Sequence, residues 1–146
     1  MSYQLLIGGG ISLVNIALHA LLTVPVVWFA RYIGRRTGLH ASLWLVSTMV
    51  PTVAMLMAAH VLEIIVWALV YRLLEVVPAN AGALYFAFVN FSTLGYGDVI
   101  PDERWRLLGP ITALNGFVLI GWSTAVIFEV LRKIVPRAYP APDIDD

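Results

Sequence analysis

Residues 93–98 read Thr93-Leu94-Gly95-Tyr96-Gly97-Asp98, and an apolar run, Ala83 to Phe91, stands before them. Two glycines alternate with larger residues. That spacing lets the backbone take conformations that turn successive carbonyls the same way. A ring of such carbonyls can replace the water shell of a dehydrated monovalent cation. The apolar run is too short to cross a bilayer, and a re-entrant helix fits its length.

Composition points to the bilayer as solvent. The 146-residue chain is 60% hydrophobic and 12% charged, about half the charged fraction of an ordinary soluble domain. Its length suits one compact unit. The net charge is zero, so no nucleic-acid partner is indicated. The absence of cysteine excludes disulfides and thiolate metal sites. No pattern of enzyme chemistry is visible, and no cofactor is expected. Met1 to Leu6 carries no basic residue, and no cleavage site stands out before Arg31, so a cleaved signal peptide is not expected.

Three apolar segments are long enough to span, at about Leu5–Ala30, Leu43–Leu74 and Leu107–Leu131. The second is longer than a straight crossing needs. Either it tilts, or Pro51 breaks it. Arg31, Arg35 and Arg36 follow the first segment, and Arg132, Lys133 and Arg137 follow the third. These six of the nine basic residues should face the cytoplasm. The N-terminus is then outside, the C-terminus inside, and the hexapeptide enters from the outer face. For a bacterial chain the membrane would be the inner one. The expected organisation is an extra helix and cytoplasmic loop over 1–40, a pore unit over 41–135, and a short disordered tail over 136–146.

The hexapeptide on these residues resembles the selectivity filter of potassium channels, T-x-G-Y-G-D. The chain resembles the small bacterial members of that family whose pore domain has two helices, with one membrane helix added at the N-terminus. The resemblance covers roughly Val53 to Leu131 and is strongest over Ala83 to Pro101. It implies an all-α membrane fold with three spanning helices, a re-entrant pore helix and a filter loop, assembled as a homotetramer in lipid. Each chain would supply a quarter of the pore. The carbonyls of Thr93, Leu94, Gly95 and Tyr96 would hold K+ as the permeant ligand. The Thr93 hydroxyl would add the innermost ring, and Gly95 and Gly97 would permit the alternating backbone. Aromatic residues of the pore helix, Tyr85, Phe86, Phe88 and Phe91, would form a cuff around the filter. Asp98 would sit behind the filter at the outer mouth, bonded to Tyr85 or another aromatic donor. Leu94 replaces the usual Val or Ile, Ser92 stands where a second Thr is common, and Val89 stands where some members carry a Glu that braces Asp98. Glu75, Asp102 and Glu103 fall on the outer side, either concentrating cations or simply solvating a loop.

Polar residues within the spans call for explanation, because intramembrane carboxylates are costly. Glu63 lies one turn from His60, on the same helix face. Three readings are open: Glu63 reaches Asn90 or Ser92 and replaces the missing brace; the pair senses pH; or the pair makes an interhelical hydrogen bond and nothing more. Asn15 and His19 share a face of the first segment and read as interhelical contacts, with that segment packed outside the second against lipid. Gly8, Gly9 and Gly10 suggest an outer-end loop or a close helix approach.

In the third segment Gly116 and Gly121 are candidate bending points. One face, Leu114, Val118, Gly121, Ala125 and Glu129, would line the cavity and put Glu129 at the inner entrance. In the other register Asn115, Leu119, Ser123 and Ile127 line it, and Glu129 pairs with Arg132 or Lys133. No segment carries Arg at every third position, so no voltage sensor of that kind is present. Gating would come from the filter, the inner helices, lipid, pH or an unidentified partner. Two other functions share the same fold: a weakly selective cation channel, and a non-conducting scaffold or accessory subunit.

Overall fold

The computed structural model describes residues 2–33, 40–78 and 81–138. Arg35, Arg36 and the tail from 139 onward lie outside the described residues. The chain is all-helical: α1 (Ser2–Ile33), α2 (Ala41–Leu73), the short α3 (Ala83–Phe91), a 3-10 turn at Glu103–Trp105, and α4 (Leu108–Ala138). Among the described residues three helices are long and apolar enough to cross a membrane, the build of a multi-pass membrane protein and one consistent with a channel pore.

Apolar continuity overrides the local breakers. Pro25 lies inside α1 and Pro51 inside α2, so Pro51 does not break the second segment. At 33 residues, α2 is about 50 Å long, well beyond a hydrocarbon core of about 30 Å. The Thr48 hydroxyl donates to the Trp44 carbonyl and the Thr52 hydroxyl to the Thr48 carbonyl, which buries both polar groups beside Pro51 without a partner from another helix. Gly8, Gly9 and Gly10 are helical, not a loop. Gly8 is the close approach among them: a Cβ there would lie 2.8 Å from Ile111 Cδ1, whereas Gly9 and Gly10 face open space. The third segment also runs further than its apolar run suggests. α4 continues to Ala138, so the first three residues of the expected tail, 136–138, are helical.

The C-terminus of α2 is a Schellman turn. Val76 N–H donates to Tyr71 O at 2.9 Å and Glu75 N–H to Arg72 O at 3.3 Å, with Glu75 at φ 50° where glycine is usual. At the N-terminal end of α4 the Leu107 N–H would otherwise be an orphan. The Gln4 side chain of α1 accepts it at 2.9 Å. Tyr3 donates to Arg104 O in the same region, so the start of α1 fastens the loop that leads into α4.

α1 packs against both α2 and α4 and is therefore more than a peripheral lipid-facing helix. Two cores result. One joins α2, α3 and α4 through Trp67, Tyr71, Phe86, Phe91, Leu108 and Leu119. The other joins α1, α2 and α4 through Ala30, Trp44, Val130 and Ile134. Between them lies a polar layer. Asn115 accepts at Oδ1 from Trp67 Nε1 at 3.0 Å and from Asn15 Nδ2 at 3.2 Å. Replacing Asn115 with Leu orphans Trp67 Nε1 and leaves Asn15 Nδ2 with the Glu63 carbonyl alone. We expect that variant to lose about 1–3 kcal/mol of stability, measured by thermal unfolding in detergent; an unchanged midpoint would show that the layer carries no weight.

Candidate ion-conducting site

The site is built on α3. Gly82, at φ 67°, starts the helix, and Phe86 N–H closes its first turn on Gly82 O. Phe86 and Phe91 are buried, Phe86 against the Tyr71 ring at 5.0 Å. Tyr85 and Phe88 are exposed in the protomer. The four aromatics expected to form one cuff thus divide: two anchor α3 inside the protomer, and two point out of it. α3 ends on Ser92, whose hydroxyl donates back to Phe88 O at 2.7 Å.

The hexapeptide follows as an irregular ribbon. Thr93, Gly95 and Gly97 have φ of 59°, 57° and 74°, and Leu94 and Tyr96 do not share that sign. Residues of opposite hand therefore alternate along the strip, which is the geometry that keeps successive carbonyls on one edge. Gly95 and Gly97 adopt it without penalty, because they lack a Cβ. Thr93 adopts it at a cost of roughly 1–3 kcal/mol, and sequence reasoning had no signal for that strained position. The amide edge of the ribbon is turned toward α3. Thr93 N–H donates to Asn90 O at 2.8 Å, and Leu94 and Gly95 N–H both donate to Val89 O, at 2.9 and 3.1 Å. Val89 thus supports the ribbon through its carbonyl, whatever its side chain. Among the described residues no hydrogen bond ends on the carbonyls of Thr93, Leu94, Gly95 or Tyr96. Leu94 and Tyr96 are 55% and 67% exposed in the protomer, which leaves their side chains to be covered by something outside it.

Asp98 follows the ribbon in the chain, and its Oδ2 accepts from the Tyr85 hydroxyl at 2.7 Å. That bond to a carboxylate pushes the Tyr85 phenol above its ordinary range, so Tyr85 stays a donor throughout the physiological range. Asn90 and Ser92 do not meet Glu63. The Asn90 amide donates to Phe86 O at 2.8 Å, and both Glu63 oxygens are taken by histidines. The reading in which Glu63 braces the filter is corrected on that ground: the local backbone of α3 satisfies both side chains first.

Glu63 instead centres a buried cluster. Its Oε1 lies 2.7 Å from His19 Nδ1 and its Oε2 2.9 Å from His60 Nδ1. Ser123 of α4 approaches the other edge of both rings. His19 and Asn15 are interhelical contacts, as their spacing suggests: Asn15 Nδ2 reaches the Glu63 carbonyl at 3.2 Å. What sequence reasoning missed is that His19, His60, Glu63 and Ser123 meet in one place.

α4 runs unbroken through Gly116 and Gly121. Gly116 is a contact point rather than a bend in this conformation, because Phe91 O would lie 2.0 Å from a Cβ at that position. Asn115, Leu119 and Ser123 are buried against the rest of the protomer, while Leu114, Val118, Gly121 and Ala125 are exposed. Those three residues of the second face are therefore unavailable as a cavity lining, while the fourth, Ile127, is half-buried. Glu129 nevertheless pairs with Arg132 at 2.9 Å and with Lys133 at 2.7 Å. The two features that sequence reasoning assigned to opposite registers thus occur together, since a helical pair at i,i+3 and i,i+4 forms on any face.

Comparisons with curated proteins and with solved structures give no match. The sequence model of a family described as ion channel matches residues 59–133, a stretch that holds His60, Glu63, α3, the ribbon and α4 through Lys133. With half of the chain matched, and a pore-type fold beneath the match, this protein belongs to the ion channel family.

Proposed function

We propose that this chain is a potassium-selective channel that conducts K+ passively through a homotetrameric pore. The observation that carries the reading is the ribbon 93–97, with alternating φ sign, its first three amides donated to α3, and the carbonyls of 93–96 without a donor among the described residues. Bare carbonyls on one edge are costly alone and favourable in a closed ring around dehydrated cations. An ion entering a low-dielectric region unpaired would cost on the order of 20 kcal/mol in the idealised Born picture. Four copies supply such a ring from one ribbon each, and they also cover Leu94, Tyr96, Tyr85 and Phe88.

In this reading the face Leu114, Val118, Gly121, Ala125 lines the inner cavity. The C-terminal end of α3 points toward the cavity, where the negative end of its dipole favours a cation. The N-terminus is outside and the C-terminus cytoplasmic, in an inner membrane if the source is bacterial. Lipid covers the apolar outer faces. The intact Gly-Tyr-Gly core favours K+ over Na+.

Liposomes holding only this protein test the reading. A K+ gradient should dissipate through them, barium should block the flux, and the mass in detergent should be that of four chains. Reversal potentials in opposing K+ and Na+ gradients should follow K+. Equal permeability would make it a weakly selective cation channel, and no flux from a tetramer would make it a scaffold or accessory subunit.

A further inference from the structure

We infer that His19, His60 and Glu63 form a transition-metal site of the zinc class, buried between α1 and α2 and backed by α4. Their ligand atoms all lie within 4.8 Å of one another. His19 and Glu63 are fully buried, and the His60 side chain is 17% exposed, which gives the site one edge through which an ion can enter. The two imidazoles stack at 5.4 Å and 18°, and each presents Nδ1 to the carboxylate.

Two imidazole nitrogens and one carboxylate oxygen are a ligand set that Zn2+ accepts, at about 2.0–2.1 Å each with a fourth position left to water. Tetrahedral ligation at that radius separates ligand atoms by about 3.4 Å. His19 Nδ1 lies 2.7 Å from one Glu63 oxygen and His60 Nδ1 2.9 Å from the other, and with all ligand atoms within 4.8 Å of one another each pair is within about 1.5 Å of that spacing. The nitrogen content disfavours Mg2+ and Ca2+, which take oxygen donors.

The surroundings fit ligation through Nδ1. A metal-bound imidazole needs its other N–H held by an outer partner. Ser123 Oγ lies 3.0 Å from His60 Nε2 and 3.5 Å from His19 Nε2, and a hydroxyl oxygen can accept from both. Without metal, the same hydroxyl has one proton for two ring nitrogens, which leaves His19 Nε2 the poorer served. Charge points the same way. Glu63 is a carboxylate inside a membrane helix, and no Lys or Arg side chain contacts it among the described residues. A divalent cation supplies the missing positive charge at its centre. Once bound, it joins α1 to α2 directly and α4 through Ser123, restraining the inner helix against the other two. This inference does not depend on what the pore conducts.

The test uses the purified full chain in detergent, stripped with a chelator and titrated with ZnCl2. Calorimetry should give one ion per chain. Zinc X-ray absorption should show two imidazole nitrogens and one carboxylate oxygen at about 2.0–2.1 Å. Ser123→Ala, which removes no ligand, should weaken binding about 10- to 100-fold. His60→Gln should abolish it, and His40→Gln, at the exposed third histidine, should change nothing. If His60→Gln fails to fold, the wild-type absorption spectrum and Ser123→Ala still decide. No saturable binding, a spectrum without imidazole, or binding that survives in folded His60→Gln would overturn the assignment.

Discussion

Gly116→Ala should be among the most damaging single changes in the chain, although by helix propensity it ought to help. In a helix interior, alanine is better than glycine by about 1 kcal/mol. Against that gain, the new methyl would lie 2.0 Å from Phe91 O, 2.8 Å from Phe91 C and 3.0 Å from Phe91 Cα. All three are backbone atoms, so no rotamer change relieves the contact. Overpacking in a core costs about 1–3 kcal/mol even where side chains can yield, and here α4 or α3 must move as a body. Phe91 is the last residue of α3, and the ribbon hangs from Val89 and Asn90 immediately before it. A displacement at Phe91 therefore reaches Thr93 directly. We expect Gly116→Ala to lower the thermal midpoint in detergent and to abolish K+ flux in liposomes. Gly121→Ala, with nothing within 4 Å of the new methyl in the protomer, is the comparison and should leave stability within about 1 kcal/mol of wild type. The bending-point reading predicts something different: both variants would alter opening, and neither would lose stability. A Gly116→Ala protein as stable as wild type would refute the packing argument.

The contrast shows which parts of the molecule could be read from sequence. Helix existence was legible, because a bilayer demands about 20 apolar residues in a row and three segments supply them. The ribbon was legible because glycine at alternate positions has few other uses beside a short apolar helix. The Tyr85–Asp98 bond is one of the two kinds of pairing that the family resemblance implies for Asp98. Breakers were misleading in both directions. Pro51 and Gly8 to Gly10 sit within helices, whereas the turn that closes α2 has Glu75 in a left-handed conformation that no glycine announces. Contacts between distant segments were not legible. Gln4 capping Leu107 spans 103 positions, and His19 meeting Glu63 spans 44. Each depends on which helix faces meet, and α1 and α2 are apolar all round, so hydrophobic periodicity gives no direction. The inner-helix register was ambiguous for a related reason: both candidate faces carry small or weakly polar residues. Asn115 and Ser123 resolved it only because they found partners on α1 and α2.

Glu63 is the second position where a large effect is expected, and the sign of the effect depends on how many partners change together. In Glu63→Leu, measured with a chelator present, His19 Nδ1 and His60 Nδ1 lose the acceptor they share at 2.7 and 2.9 Å in a layer that water barely reaches. Each buried donor left without its acceptor costs about 1–3 kcal/mol, and two such losses are a large part of the 5–15 kcal/mol that keeps a typical domain folded. We expect a loss of that order. Glu63→Gln should lose less, since its amide can still accept from one imidazole and donate to the other. The triple variant His19→Leu, His60→Leu, Glu63→Leu should recover most of the loss, because replacing a whole buried ionic group by apolar residues is often neutral or stabilising. Thermal unfolding of the three proteins in detergent separates two quantities that a single substitution confounds: the penalty for orphaning a partner and the net worth of the cluster. A Glu63→Leu protein that melts with wild type would mean that the carboxylate is solvated after all. A triple variant no better than Glu63→Leu would mean that the cluster contributes net stability of its own, beyond satisfying its members. If the triple variant is stable but conducts differently, then the cluster is kept for what it does to α4 through Ser123 and not for the stability of the fold.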